Sequence, residues 1–95
     1  MSVIRSWRGS IAELIAGGAR PKGFPADLVK RTLNKLTILE YATGLDDLRW
    51  PPGNRLERLS GDRSGQYSVR INDQWRICFV WGEAGPEHVE IVDYH

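Results

Sequence analysis

The stretch QYSVRINDQWRICFVW, residues 66–81, decides the fold. Tyr67, Val69 and Ile71 alternate before a polar break, and Trp75, Ile77, Phe79 and Trp81 alternate after it. This is the period-two pattern of two strands that each bury one face. The two apolar sets share a face only if Ile71 lies opposite Trp75, because a slip of one residue turns one set to solvent. That register makes Asn72, Asp73 and Gln74 the loop and sets Arg70 directly opposite Arg76 on the non-core face, beside Gln66 and Ser68. Like charges directly opposite on a sheet cost from a few tenths to ~1 kcal/mol. The pair is therefore expected either to hold an anion such as phosphate, which the planar fork of arginine suits, or to splay outward or pair with Asp62 or Glu90.

Outward from this hairpin, residues 55–59 and 88–93 read as two further short strands, and residues 3–7 as a first one. Ser10 and Glu13 have the spacing of a capping box, so a short helix is expected from Ile11 to the stop at Gly17 and Gly18. After the loop ARPKGFP a longer helix is expected. Val29, Leu33, Leu36 and Leu39 or Glu40 form its core stripe; Lys30, Arg31, Asn34 and Lys35 take its other side. Gly44 suits a left-handed cap, and the prolines of LDDLRWPPGN exclude ladder pairing there. The expected architecture is a single α+β domain over residues 1–95, mainly an antiparallel sheet with two N-terminal helices packed on one face.

Composition narrows the function. With 41% hydrophobic and 26% charged residues the chain has an ordinary globular makeup, and 13 Lys+Arg against 12 Asp+Glu leave a net charge of +1. A polyanion would have to be drawn by a local patch, not a global field. The one cysteine, Cys78, cannot close an internal disulfide and is expected to be an inert, partly buried thiol. No leader-like segment or long apolar run is seen, so a cytoplasmic protein away from membranes is expected. Two histidines and one cysteine fall in no metal-ligand spacing, so neither a metal nor another cofactor is expected. His88 has no visible partner in the sequence and is assigned no role.

The segments GDRSGQYSVRINDQWRI and VDYH, within NRLERLSGDRSGQYSVRINDQWRICF and VEIVDYH, resemble the HigB branch of the RelE/ParE toxin superfamily, and within it the GraT-like proteins. The resemblance runs from IRSW to the last residue. It implies a small cytoplasmic toxin that cleaves mRNA in the ribosomal A site without a metal. It also implies a helix-turn-helix antitoxin of the HigA or GraA kind, through which the complex binds operator DNA. Asp93, Tyr94, His95 and Arg76 are the positions carried over from the family. Where some members have His-x-x-Lys before the Gly-Asp of the loop, this chain has Glu57 and Ser60.

The chemistry can be set against these residues. Cleavage with the RNA 2′-OH as nucleophile needs a base, charge stabilisation on the phosphate and protonation of the leaving 5′-oxygen. His95 titrates in the right range and is expected to exchange the proton, with the terminal α-carboxylate favouring its imidazolium form. Asp93 would orient it, Tyr94 would stack on a base and supply a hydroxyl, and Glu57 would serve as a base. Arg76, Arg70, Arg63 and Arg58 would take the phosphate charge. The ParE side of the superfamily supplies the rival reading, a non-catalytic inhibitor of DNA gyrase. A third is a toxin that binds the ribosome or interferes with its assembly.

Overall fold

The computed structural model describes residues 3–94. Two helices, α1 (Ile11–Ala16) and α2 (Val29–Tyr41), precede four strands, β1 (Glu57–Arg58), β2 (Tyr67–Arg70), β3 (Trp75–Gly82) and β4 (Gly85–Asp93). The strands form one antiparallel sheet in the order β1-β2-β3-β4. Short 3-10 turns at Ala26–Leu28, Leu45–Arg49, Pro52–Asn54 and Gly61–Arg63 make the connections.

The central hairpin has the register that alternation requires. Val69 pairs with Ile77 and Arg70 with Arg76, and Ile71 N–H donates to the Trp75 carbonyl at 2.9 Å. Asn72 closes the loop by accepting from the N–H groups of Gln74 and Trp75 at 2.9 and 2.7 Å. Ala12 and Ile15 of α1, Leu36 and Leu39 of α2, and Val69, Ile77, Phe79, Val89 and Ile91 of the sheet form one buried apolar cluster. Phe24, from the loop between the helices, packs edge-on against Trp75 with ring centroids 4.9 Å apart.

Several local expectations change. Residues 3–7 run beside β4 but form only an isolated parallel bridge, Trp7 with Val89. Arg5 N–H donates to Pro86 O at 2.8 Å and Val89 N–H to Ser6 O at 3.0 Å. Between them the ladder fails because β4 is irregular opposite Cys78 to Val80, His88 has φ 53°, and the His88 N–H goes to the Ser6 hydroxyl at 2.8 Å. Ser10 makes no side-chain cap: its backbone is already right-handed helical at φ −103°, ψ −22°, outside the extended range that a capping residue needs.

Helix α2 is turned from the expected stripe. Leu28, Thr32, Leu36 and Leu39 are buried, whereas Leu33 is 37% exposed. The 3-10 turn ahead of the helix drives Leu28 into the core, and the face that follows it at four-residue spacing carries Thr32 instead of Leu33. Gly44 is extended, at φ −160°, because α2 already ends at Tyr41 and the chain is extended from Ala42. There the Thr43 N–H and hydroxyl both donate to Asp47 at 2.8 Å, tying the helix end to the next turn. Strand β1 is shorter than residues 55–59 because Arg55 is left-handed at φ 44°, ψ 59°.

Candidate functional site

Strand alternation builds two rows of residues on the sheet face opposite the core. One row runs Glu57, Ser68, Cys78, Glu90 across β1 to β4; the next runs Arg70, Arg76, Val92. This face is closed to solvent at its centre, where Ser68 and Cys78 are both fully buried, Cys78 more so than the partly buried thiol expected. Arg76 and Tyr94 lie against them. The Tyr94 hydroxyl lies 3.9 Å from Cys78 Sγ, and the Arg76 guanidinium carbon is 6.0 Å from the Tyr94 ring centroid, within cation–π range.

Arg76 is the best-held charge of the face, its side chain only 11% exposed. Its Nε donates to Ser68 Oγ at 2.8 Å and its Nη2 to the Arg55 carbonyl at 2.7 Å, while Nη1 lies 3.7 Å from Glu57 Oε1. The left-handed backbone of Arg55, costly for a residue with a side chain, aims that carbonyl. Arg63, from the Gly61–Arg63 turn, donates to Glu90 at 3.0 Å and to Gln66 at 3.1 Å. The Glu90 carboxylate holds the Arg63 guanidinium above its ordinary pKa. Arg8, Asp62 and these three residues line an open depression of about 350 Å³ beside β4.

Of the residues singled out from the sequence, the fold brings Arg76, Tyr94, Glu57 and Arg63 to this face. Arg70 is opposite Arg76 in register, but its guanidinium pairs with Asp73 of the loop, a carboxylate the sequence reading had not considered. Arg58 is exposed, and alternation turns it with its partner Tyr67 to the other face. Asp93 pairs with Trp75 and accepts from the Gln74 side chain at 3.2 Å, on the face of Ile91 and not that of Tyr94. His95 lies outside the described residues. Ser68 and the Arg55 carbonyl were missed as partners. Alternation had set Ser68 on the arginine face, but a backbone carbonyl leaves no mark in a sequence.

Burial pushes the Cys78 thiol pKa up, against the opposing pull of the Tyr94 hydroxyl and of Arg63 and Arg76. Burial likewise raises the Tyr94 phenol, with Cys78 adding to it, so both stay neutral near pH 7. Cys78 is therefore expected to resist alkylation in the native protein. Tyr94→Ala should raise its rate of modification by iodoacetamide roughly tenfold or more, because reactivity follows thiolate fraction and access; an unchanged rate would mean that Tyr94 is not the cover.

Among the described residues no group of three or more His, Cys, Asp or Glu side chains could hold a metal ion, and no helix is long and apolar enough to cross a membrane. Residues 12–95 match the family model of the HigB-like toxin, described as the RelE-like toxin of the type II toxin-antitoxin system HigB. The chain is 42% identical over 62 residues to Toxin HigB-1 of Vibrio cholerae, a stretch that covers 65% of each chain. It is 36% identical over 57 residues to an uncharacterized protein of Haemophilus influenzae, covering 60% of this chain and 56% of that one. Against Endoribonuclease HigB of Proteus vulgaris it is 28% identical over 93 residues, 98% of this chain and 100% of that one. By the match over residues 12–95, this chain belongs to the HigB-like family of RelE-like toxins of type II toxin-antitoxin systems.

Proposed function

We propose that this chain is a ribosome-dependent, metal-independent endoribonuclease that cleaves mRNA, the toxin half of a pair whose other half is a helix-turn-helix antitoxin of the HigA or GraA kind. The antitoxin would carry the complex to operator DNA. What supports the reading is the guanidinium of Arg76, fixed by Ser68 Oγ and the Arg55 carbonyl and set under an aromatic ring that is 38% exposed. A preoriented cation beside a stacking surface suits a phosphodiester whose neighbouring base is unstacked. The full-length likeness to a protein named Endoribonuclease HigB points the same way.

In this reading the RNA 2′-oxygen attacks the adjacent phosphorus as its proton passes to a base, and the P–O5′ bond breaks as the 5′-oxygen is protonated. The products are a 2′,3′-cyclic phosphate and a 5′-hydroxyl. Arg76 binds the scissile phosphate, and its two fixed hydrogen bonds leave the Nη1 side, now facing Glu57, to receive a phosphate oxygen. Glu57, 55% exposed and only loosely paired at 3.7 Å, is displaced from the guanidinium and is near enough to take the 2′-proton. Arg63 adds a second cation once the phosphate competes with Glu90. Tyr94 stacks on the flanking base. His95 is the proton donor to the leaving oxygen, by its chemistry and its place in the family motif.

Induced expression of the chain without its antitoxin should arrest growth, and mapping RNA 5′ ends should reveal new 5′-hydroxyl ends within translated reading frames, absent when translation is blocked. Growth arrest with no new ends would refute cleavage and leave a binding inhibitor, of gyrase or of the ribosome. Co-expression with the neighbouring helix-turn-helix gene should restore growth.

A further inference from the structure

Between α2, the Pro52–Asn54 turn and the end of β2 lies a groove of about 490 Å³. Arg31, Lys35 and Arg70 line it, with Asn34, and no carboxylate lines it among the described residues. Two of its three cations are tethered to neutral acceptors. Arg31 Nη1 donates to the Ile71 carbonyl at 3.3 Å, and Lys35 Nζ donates to the side-chain oxygen of Asn54. Asn54 is itself 1% exposed and locked by donating to the carbonyls of Leu48 and Trp50 at 3.1 and 3.0 Å. The ammonium is thus held by a buried amide that satisfies its hydrogen bonding without cancelling its charge. Burial, and then the positive fields of Arg31 and Arg70, lower the Lys35 pKa from its ordinary value. The ionic partner of Arg70, Asp73, has a side chain 98% exposed, so that pair is weak and open to exchange.

Three cations gathered with no lining anion repel one another, and a bound polyanion removes that repulsion. The position of Arg70 identifies which one. Arg70 belongs to both places: its side chain lines the groove, and its backbone is paired with Arg76 in the sheet. We propose that the Arg31–Lys35–Arg70 groove is a second RNA-backbone site, taking phosphates of RNA that continues beyond the phosphodiester held at Arg76. The inference rests on the reading of Arg76 as a phosphate ligand. An acidic protein segment is the weaker candidate, since it would have no reason to continue toward Arg76.

The test uses the full chain with Arg31→Gln and Lys35→Gln together. Glutamine removes both charges while keeping a polar, hydrogen-bonding side chain at each position. Anisotropy of a fluorescent 2′-O-methyl RNA, which cannot be cleaved, is followed against salt concentration for the double variant and for the parent. Each lost phosphate contact on single-stranded RNA reduces the slope of log affinity against log salt by about 0.7, so a loss of about 1.4 and weaker binding are expected. An Arg20→Gln, Lys22→Gln control, which removes equal charge from the loop between the helices, should keep the parent slope. The same comparison on ribosomes separates the sources: loss on the oligonucleotide assigns the groove to the substrate strand, and loss on ribosomes alone would overturn that assignment in favour of ribosomal RNA. Unchanged slopes in both arms, an equal loss in the control, or weakened binding of the antitoxin only, would overturn the proposal. Groove-dependent RNA binding by a chain that makes no cuts would instead refute the nuclease reading and leave the groove standing.

Discussion

Arg76→Ala is expected to abolish cleavage and to lower the melting temperature as well. A donor fixed on developing phosphate charge is worth about 10²–10³ in rate when removed. The stability effect has two opposed parts. Relief of the Arg70–Arg76 repulsion returns from a few tenths to ~1 kcal/mol. Against it, the buried Ser68 hydroxyl loses its partner, at about 1–3 kcal/mol for a buried group left unsatisfied, while the exposed Arg55 carbonyl turns to water. The second part is larger, so the net is destabilising by roughly 1–2 kcal/mol, a fall of about 4–15 °C for a domain of this size. The hairpin alone argued the opposite sign, because it displays the repulsion and not the hydrogen bonds. Arg70→Ala separates the two cases: its Asp73 partner is exposed, so its melting temperature should hold or rise slightly. Thermal melts of both variants beside single-turnover cleavage on ribosomes check the ordering; an Arg76→Ala protein that melts higher than the parent would mean the three contacts to Arg76 carry no net stability.

His95→Gln is expected to reduce single-turnover cleavage about 10²–10⁴-fold, the usual worth of a positioned proton donor. Glutamine keeps hydrogen bonding but has no proton to exchange near neutral pH. For the parent, the rate should fall as pH rises and the imidazolium donor is lost. The variant should be flat through the same rise in pH. A residual rate that keeps the same alkaline limb would assign the proton to another group. Binding of the uncleavable RNA, measured alongside, should remain, since the phosphate ligands are untouched.

How much of this was legible from the sequence can be argued residue by residue. Tyr67, Val69, Ile71, Trp75, Ile77 and Phe79 specify the hairpin by themselves, since period-two alternation and a three-residue break admit one register that buries both sets. The helix face was less legible because Leu33 and Thr32 are adjacent: both orientations bury leucines, and packing against the sheet selects the one that accepts a threonine. The arginine face was legible in location but not in partners. Arg70, Arg76 and Arg63 are long side chains within reach of several carboxylates, and sequence distance does not rank Asp73, Glu57, Glu90 and Asp62.

By itself, the sequence determined the central antiparallel hairpin, the Arg70–Arg76 pairing and the family, since these depend on local periodicity, turn residues and short motifs. Only the tertiary structure decided that Tyr94 covers Cys78, that the carbonyl of a left-handed Arg55 orients Arg76, and that Asn54 holds Lys35 in a groove with Arg31. Those contacts join segments between 16 and 21 residues apart, or meet through backbone atoms that every residue shares. Nothing in residue type encodes them until the core has brought the elements together.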